Sequence, residues 1–267
     1  MISQNRLRAL ARENKVTVGL MEKDYVNSWI LYAIYSSSLK DELAFKGGTA
    51  LSKIYFPKIW RFSEDLDLTA YREINREGFL KVLRSALSDA SEKSDVHFEI
   101  KSTHFTPGYV QIKVQYEAPL GQKNTTRLDL TLDETLSSSL EEKPHSFEDI
   151  PEFTVVVYSL DEIIVEKIRS LFERERARDF FDVYKILEMD AIEDFERIVK
   201  NLKKKMKHKG MNLKLDFPES KVKDVGSYWD TALDRLISTA EKPKFSKAMQ
   251  KIERFLGRIK NLDGEFK

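Results

Sequence analysis

Two short stretches hold the residues whose types and spacing could do chemistry. Phe45-Lys46-Gly47-Gly48-Thr49-Ala50-Leu51-Ser52-Lys53-Ile54-Tyr55 sets a glycine pair at the opening of a helical pattern. Arg61-Phe62-Ser63-Glu64-Asp65-Leu66-Asp67-Leu68-Thr69 then places a serine and two carboxylates in an alternating strand pattern. Residues i and i+2 of a strand share a face about 7 Å apart, so Asp65 and Asp67 project together while Leu66 and Leu68 face a core. Carboxylates that close repel unless a cation lies between them, and Mg²⁺ is commonly held by a few carboxylates plus substrate phosphates. Gly47, Gly48 and Thr49 would offer free N–H groups and a helix dipole to an anion. Ser63 and Arg61 could donate to the same phosphate. Taken singly, each has an ordinary alternative: a solvated strand edge, a turn, a surface arginine. Their joint occurrence on a strand–helix–strand path points to phosphoryl or nucleotidyl transfer from a metal-bound triphosphate.

The elements that must position these residues can be read from periodicity. Helical spacing covers 3–14 and 22–39, Leu43–Lys46 is a short strand, and 49–56 is a helix ending at Pro57. Leu66–Thr69 is a strand and 74–93 is helical. Period-two alternation follows at Val96, Phe98 and Ile100, at Val110, Ile112 and Val114, and at Leu128, Leu130 and Leu132, with Pro107-Gly108 as a hairpin turn. The acidic stretch 134–152, with Pro144 and Pro151, reads as a loop before a short strand at 153–158. Beyond Ser159 the pattern is helical, over about 160–173, 177–189, 192–208, 218–240 and 244–260. Ser159-Leu160-Asp161-Glu162 supplies an N-cap with early acids. We therefore expect an α+β fold, a mixed sheet with flanking helices over 1–158 followed by a helical half over 159–267.

Composition excludes several classes. The 267 residues carry a net charge of +1, so any nucleic-acid binding needs a local patch. The run Lys200, Lys203, Lys204, Lys205, Lys207, His208, Lys209 is the clearest such patch; its ordinary alternative is a solvated helix end. There is no cysteine, and His97, His104, His145 and His208 are not spaced as zinc ligands. No apolar run approaches the roughly 20 residues of a membrane span, and the first residues do not form a signal peptide. A cytoplasmic protein is expected.

The first two stretches resemble the AbiEii/AbiGii-type toxin nucleotidyltransferases, the MenT-like group of type IV toxin–antitoxin systems. That family joins a Gly-Gly-Thr-x-Leu-x-x-x-Tyr helix to Arg-x-Ser-x-Asp-x-Asp, matched here by Gly47, Gly48, Thr49, Leu51, Tyr55, Arg61, Ser63, Asp65 and Asp67. A later block, Leu160 to Ile168 followed by Arg178-Asp179-Phe180-Phe181-Asp182, resembles its Glu-x-x-x-x-Lys helix and Arg-Asp-x-x-Asp. By spacing alone Lys167 is the edge of a buried stripe, where lysines usually snorkel to water, and Arg178 and Asp182 suit a helix-surface pair. The resemblance makes Lys167 a contact to nucleotide phosphate and Asp179 its polar partner, with a catalytic or lysine-orienting role. It also implies a third carboxylate on a later strand. Asp129 fits, lying on one face with Arg127 and Thr131, as a metal ligand or general base; Asp133 is an alternative.

What the resemblance implies is an Mg²⁺-dependent enzyme that transfers a nucleotide from a nucleoside triphosphate to an acceptor, with pyrophosphate released. Asp65, Asp67 and Asp129 would hold the metals, and Gly47, Gly48, Thr49, Arg61 and Ser63 the nucleotide. The implied acceptor is a tRNA 3′ end, contacted through the Lys200–Lys209 patch, and the implied partner is an antitoxin. An enzyme that modifies a protein hydroxyl, and a non-catalytic nucleotide- or partner-binding member, share this motif set.

Overall fold

The computed structural model describes residues 1–57, 59–211, 215–234, 236–237 and 242–265. They form two compact units, Met1–Glu134 with Ser139–Tyr158, and Thr135–Ser138 with Ser159–Lys267.

In the first unit, α1 (Gln4–Glu13) and α2 (Val18–Tyr35) each start at a hydroxyl cap. Ser3 accepts from the Arg6 N–H and Thr17 from the Leu20 N–H. The Thr17 cap starts α2 earlier than its apolar spacing suggested. Buried β1 (Leu43–Lys46) runs into α3 (Gly47–Ala50), which then widens into a π turn over Leu51–Tyr55. The Phe56 N–H donates to the Leu51 carbonyl at 2.7 Å, a five-residue step. The uniform helix expected over 49–56 is therefore a helix start followed by this wider turn.

The remaining elements of this unit are β2 (Leu66–Ala70), α4 (Arg76–Ser94), β3 (His97–Thr106), β4 (Tyr109–Glu117), β5 (Lys123–Thr131), β6 (Leu140–Phe147) and β7 (Ile150–Tyr158). The seven strands form one sheet in the order β3-β4-β5-β2-β1-β7-β6. β2 pairs parallel with β5 and β1 parallel with β7; the other pairs are antiparallel. Gly108 turns the β3–β4 hairpin at φ 77°, as Pro107-Gly108 predicts.

The expected loop over 134–152 is mostly strand: β6 and β7 make a hairpin turned at Glu148-Asp149. Pro144 sits within β6 opposite Thr154. It is tolerated because β6 is a sheet edge, where one side of the strand has no partner to donate to. Acidic, half-exposed edge residues hid the alternation that a buried strand would display.

The second unit is helical: α5 (Leu160–Glu173), α6 (Ala177–Glu188), α7 (Phe195–His208), α8 (Glu219–Ser227), α9 (Trp229–Leu233) and α10 (Phe245–Glu265). Ser159 caps α5 by accepting from the Glu162 N–H at 3.3 Å. Of the stripe that spacing gives, Ile163, Ile164, Ile168 and Leu171 are buried and Phe172 is partly buried. The single helix expected over 218–240 is broken at Tyr228 into α8 and α9; its residues 235 and 238–240 lie outside the described residues.

Candidate active site

Strand register assembles a polar row across the middle of the sheet. Lys46 on β1 opposes Asp67 on β2, Asp67 opposes Asp129 on β5, and Asp129 opposes Gln111 on β4. Directly opposed residues on paired strands share a face. Leu66, Leu68, Leu128 and Leu130 are buried on the other face, so the apolar half of each alternation anchors the strands and the polar half presents the row. Two carboxylates, Asp67 and Asp129, thus stand side by side on neighbouring strands, an arrangement that destabilises the sheet unless positive charge reaches it.

Each carboxylate has its own support. Asp129 Oδ1 accepts from the Tyr109 hydroxyl at 2.5 Å and from Gln111 Nε2 at 3.1 Å. Partial burial and the Asp129 carboxylate hold the Tyr109 phenol protonated, pushing its pKa up to about 12. Asp67 packs against Gly47: a Cβ at Gly47 would lie 2.8 Å from the Asp67 carboxyl carbon, and Gly47 has φ 77°. Both facts require glycine there. The Thr49 hydroxyl, fully buried, donates to the Asp65 carbonyl at 2.5 Å. It thereby ties the start of α3 to the entry of β2, a tether where phosphate contact was expected.

Asp65 lies one residue before β2 and is clasped by Arg127 of β5. Arg127 Nε donates to Asp65 Oδ1 at 3.1 Å and Nη2 to Oδ2 at 2.5 Å. This bidentate pair raises the arginine pKa further. Arg61 and Ser63 are buried in the segment before β2, with Arg61 Nη1 donating to the Phe62 carbonyl at 3.1 Å. Lys46 is buried beside the row, its ammonium 5.5 Å from the centre of the Tyr158 ring.

Asp65, Asp67 and Asp129 were expected to form one metal set. Among the described residues, no three His, Cys, Asp or Glu side chains stand where they could hold an ion together. Asp67 and Asp129 are register neighbours, while Asp65 is committed to Arg127. The donors are hard carboxylate oxygens, the chemistry Mg²⁺ takes, so an Asp67–Asp129 pair fits that cation.

In the second unit the expected residues are buried in ion pairs. Lys167 Nζ lies 2.8 Å from Asp182 Oδ2, with Asp182 fully buried. Asp179, also fully buried, accepts from Arg174 Nε at 2.7 Å and Nη2 at 3.0 Å. Lys167 is therefore paired with Asp182 and Asp179 with Arg174, and Asp182 is buried where a helix-surface position was expected. Lys205 departs from the basic run: it is buried between Glu162 at 2.7 Å and Glu166 at 3.1 Å. Lys200, Lys204, Lys207 and His208 remain exposed.

Sequence reasoning did not assign Lys46, Tyr109, Gln111, Arg127 or Asp182 to these groups. The signal was spacing: Tyr109 and Gln111, like Arg127 and Asp129, repeat the i, i+2 step of Asp65 and Asp67. Which strands pair is what the spacing does not contain.

A mixed sheet carrying an acidic row beside a glycine-opened helix is the architecture of a nucleotidyltransferase. Among solved structures the chain is similar to MenT4, a nucleotidyltransferase toxin from Mycobacterium tuberculosis H37Rv. The TM-score is 0.62 at 18% identity, covering 96% of this chain and 90% of that chain. The model of the family described as nucleotidyl transferase AbiEii toxin, type IV toxin–antitoxin system, matches residues 29–251, and the chain belongs to that family of nucleotidyltransferases. A comparison with curated proteins found no match.

Proposed function

We propose that the protein uses a divalent cation, Mg²⁺, to transfer a nucleotide from a nucleoside triphosphate to an RNA hydroxyl, the 3′ end of a tRNA, releasing pyrophosphate. The observation that carries the reading is the pairing of Asp67 with Asp129 beside the Gly47-Gly48 helix start. Asp67 and Asp129 would hold the cation, with Asp65 beside them; when bound, the ion neutralises charge on the triphosphate. The backbone N–H groups at Gly47 and Gly48 and the Ser63 hydroxyl would contact phosphate. The acceptor oxygen attacks the α-phosphorus, the bond from that phosphorus to the bridging oxygen breaks, and pyrophosphate leaves. In this reading Asp129, which accepts from Tyr109 and Gln111, would receive the hydroxyl proton.

The family pattern supports a role for Lys167 on phosphate charge and for Asp179 through Arg174 in the same chemistry. The exposed Lys200, Lys204 and Lys207 recur at four- and three-residue steps along α7, a spacing that suits an RNA phosphate backbone. The partner is an antitoxin, as the toxin–antitoxin family implies. Among the described residues no helix is long and apolar enough to cross a membrane; a tRNA acceptor implies action in the cytoplasm.

The test is incubation with α-labelled nucleoside triphosphates, Mg²⁺ and total RNA. Label should appear in the tRNA fraction and vanish with Asp67→Asn. Label on protein instead, or transfer indifferent to Asp67→Asn, would overturn the reading.

A further inference from the structure

Parallel register between β2 and β5 creates two adjacent charge pairs of opposite character. Asp67 faces Asp129, a like-charged pair, and one step earlier Asp65 faces Arg127, an opposite-charged pair. The Arg127 fork engages both oxygens of Asp65, so a cation at the acidic row cannot use Asp65 while that clasp is closed. The carboxylate is largely enclosed and the guanidinium half exposed, at 17% and 50% side-chain exposure. The arginine is therefore the partner with room to leave. A guanidinium is also suited to bidentate phosphate recognition.

We infer that Arg127 is a positioning residue that stands in for the cation at Asp65 and exchanges that carboxylate for the triphosphate when metal and nucleotide enter. This rests on the metal–nucleotide reading above. It makes the apo site self-neutralised: Arg127 holds Asp65 in place and disfavours metal binding without nucleotide. Arriving phosphates give the guanidinium a second anion and free Asp65 for the row. Metal binding and nucleotide binding are thus coupled through one side chain, each favouring the other.

The experiment measures Mn²⁺ binding by electron paramagnetic resonance, with and without a non-hydrolysable nucleoside triphosphate, for wild type, Arg127→Gln and Arg127→Lys, alongside steady-state kinetics. Without nucleotide, Arg127→Gln should bind Mn²⁺ about tenfold more tightly than wild type, the scale of one charge-assisted bidentate pair. Its KM for nucleotide should rise by a similar factor. Arg127→Lys, which keeps the charge but not the fork, should fall between on both measures. A merely structural arginine would not move the two constants in opposite directions. Unchanged or weaker Mn²⁺ binding in Arg127→Gln, where wild type binds Mn²⁺ and Asp67→Asn does not, overturns the inference alone. Wild type that binds no Mn²⁺ even with nucleotide overturns it together with the function it rests on.

Discussion

Carboxylates meet two fates in this protein. In the helical unit they are consumed: Asp182 by Lys167, Asp179 by Arg174, and Glu162 by Lys205. The carboxylate is buried in every case, and in the Lys167–Asp182 and Lys205–Glu162 pairs both ions are, so their desolvation is offset only by mutual contact. In the sheet unit the acidic row is half-exposed at Asp67 and Asp129, and the two oppose each other. The first arrangement resists change, because removing either partner strands a charge away from water. The second invites a cation. The division follows burial and not unit boundaries, since Lys53 and Asp24 of the sheet unit, 2.7 Å apart and buried, behave like the helical pairs.

The comparison breaks most sharply at Asp67. Asp67→Asn should lower nucleotide transfer by about a thousandfold or more, the scale of removing a group that organises transition-state charge. Its thermal midpoint should stay near wild type, because the substitution relieves like-charge repulsion with Asp129. A large fall in the midpoint would show that the row is a structural pair after all.

Next in size are the buried pairs. Asp182→Asn leaves the Lys167 ammonium unneutralised, and Lys205→Ala leaves Glu162 in the same state. Each should destabilise the protein by about 3–5 kcal/mol, read as a lower urea midpoint. A loss below about 1 kcal/mol would mean that water reaches these ions in solution.

A pH-dependent effect sharpens the third case, a buried group kept neutral. His145 is buried against Phe153, 3.3 Å from the Ser28 hydroxyl and near the Lys53 charge. Burial and that charge push its pKa down to about 3, from the ordinary histidine value of 6.5. Between those values the unfolded chain binds a proton that the folded protein refuses. Stability contributed by this site is therefore present above about pH 6.5 and is lost as pH falls, at up to about 1.4 kcal/mol per pH unit. Urea titrations at pH 6.5 and 5 should show the loss, and His145→Gln should flatten it. An equal slope in that variant would place the pH dependence elsewhere.

The smallest effect is expected at Lys204. Lys204→Ala should change stability by less than about 0.5 kcal/mol and lower the salt dependence of RNA binding by about one unit of log–log slope. Set against Lys205→Ala, at the next position of the same basic run, it separates a solvated lysine from a structural one.

Much of this was legible in the chain. The glycine-opened helix start, the Asp65/Asp67 strand, the Pro107-Gly108 hairpin and the α5 stripe are local, each decided within one or two turns of chain. Arg127 and Asp129 could be put on one face of a strand without knowing its neighbour. The β6–β7 hairpin was hidden because an edge strand keeps polar residues and accepts Pro144. Lys205 looked like any member of a lysine run, since only contact with α5 shows which face of α7 is inside.

By itself the sequence determined which residue types stand on which face of each element, because period and capping depend on neighbours along the chain. It also placed the Thr49 hydroxyl two residues after Gly47, but not the tether from that hydroxyl to the Asp65 carbonyl. Tertiary structure alone decided that β2 lies parallel to β5. That pairing sets Asp67 against Asp129 and Asp65 against Arg127, and strand pairing is chosen by packing energies summed over the whole sheet. One shift of register would have turned the acidic row into the core.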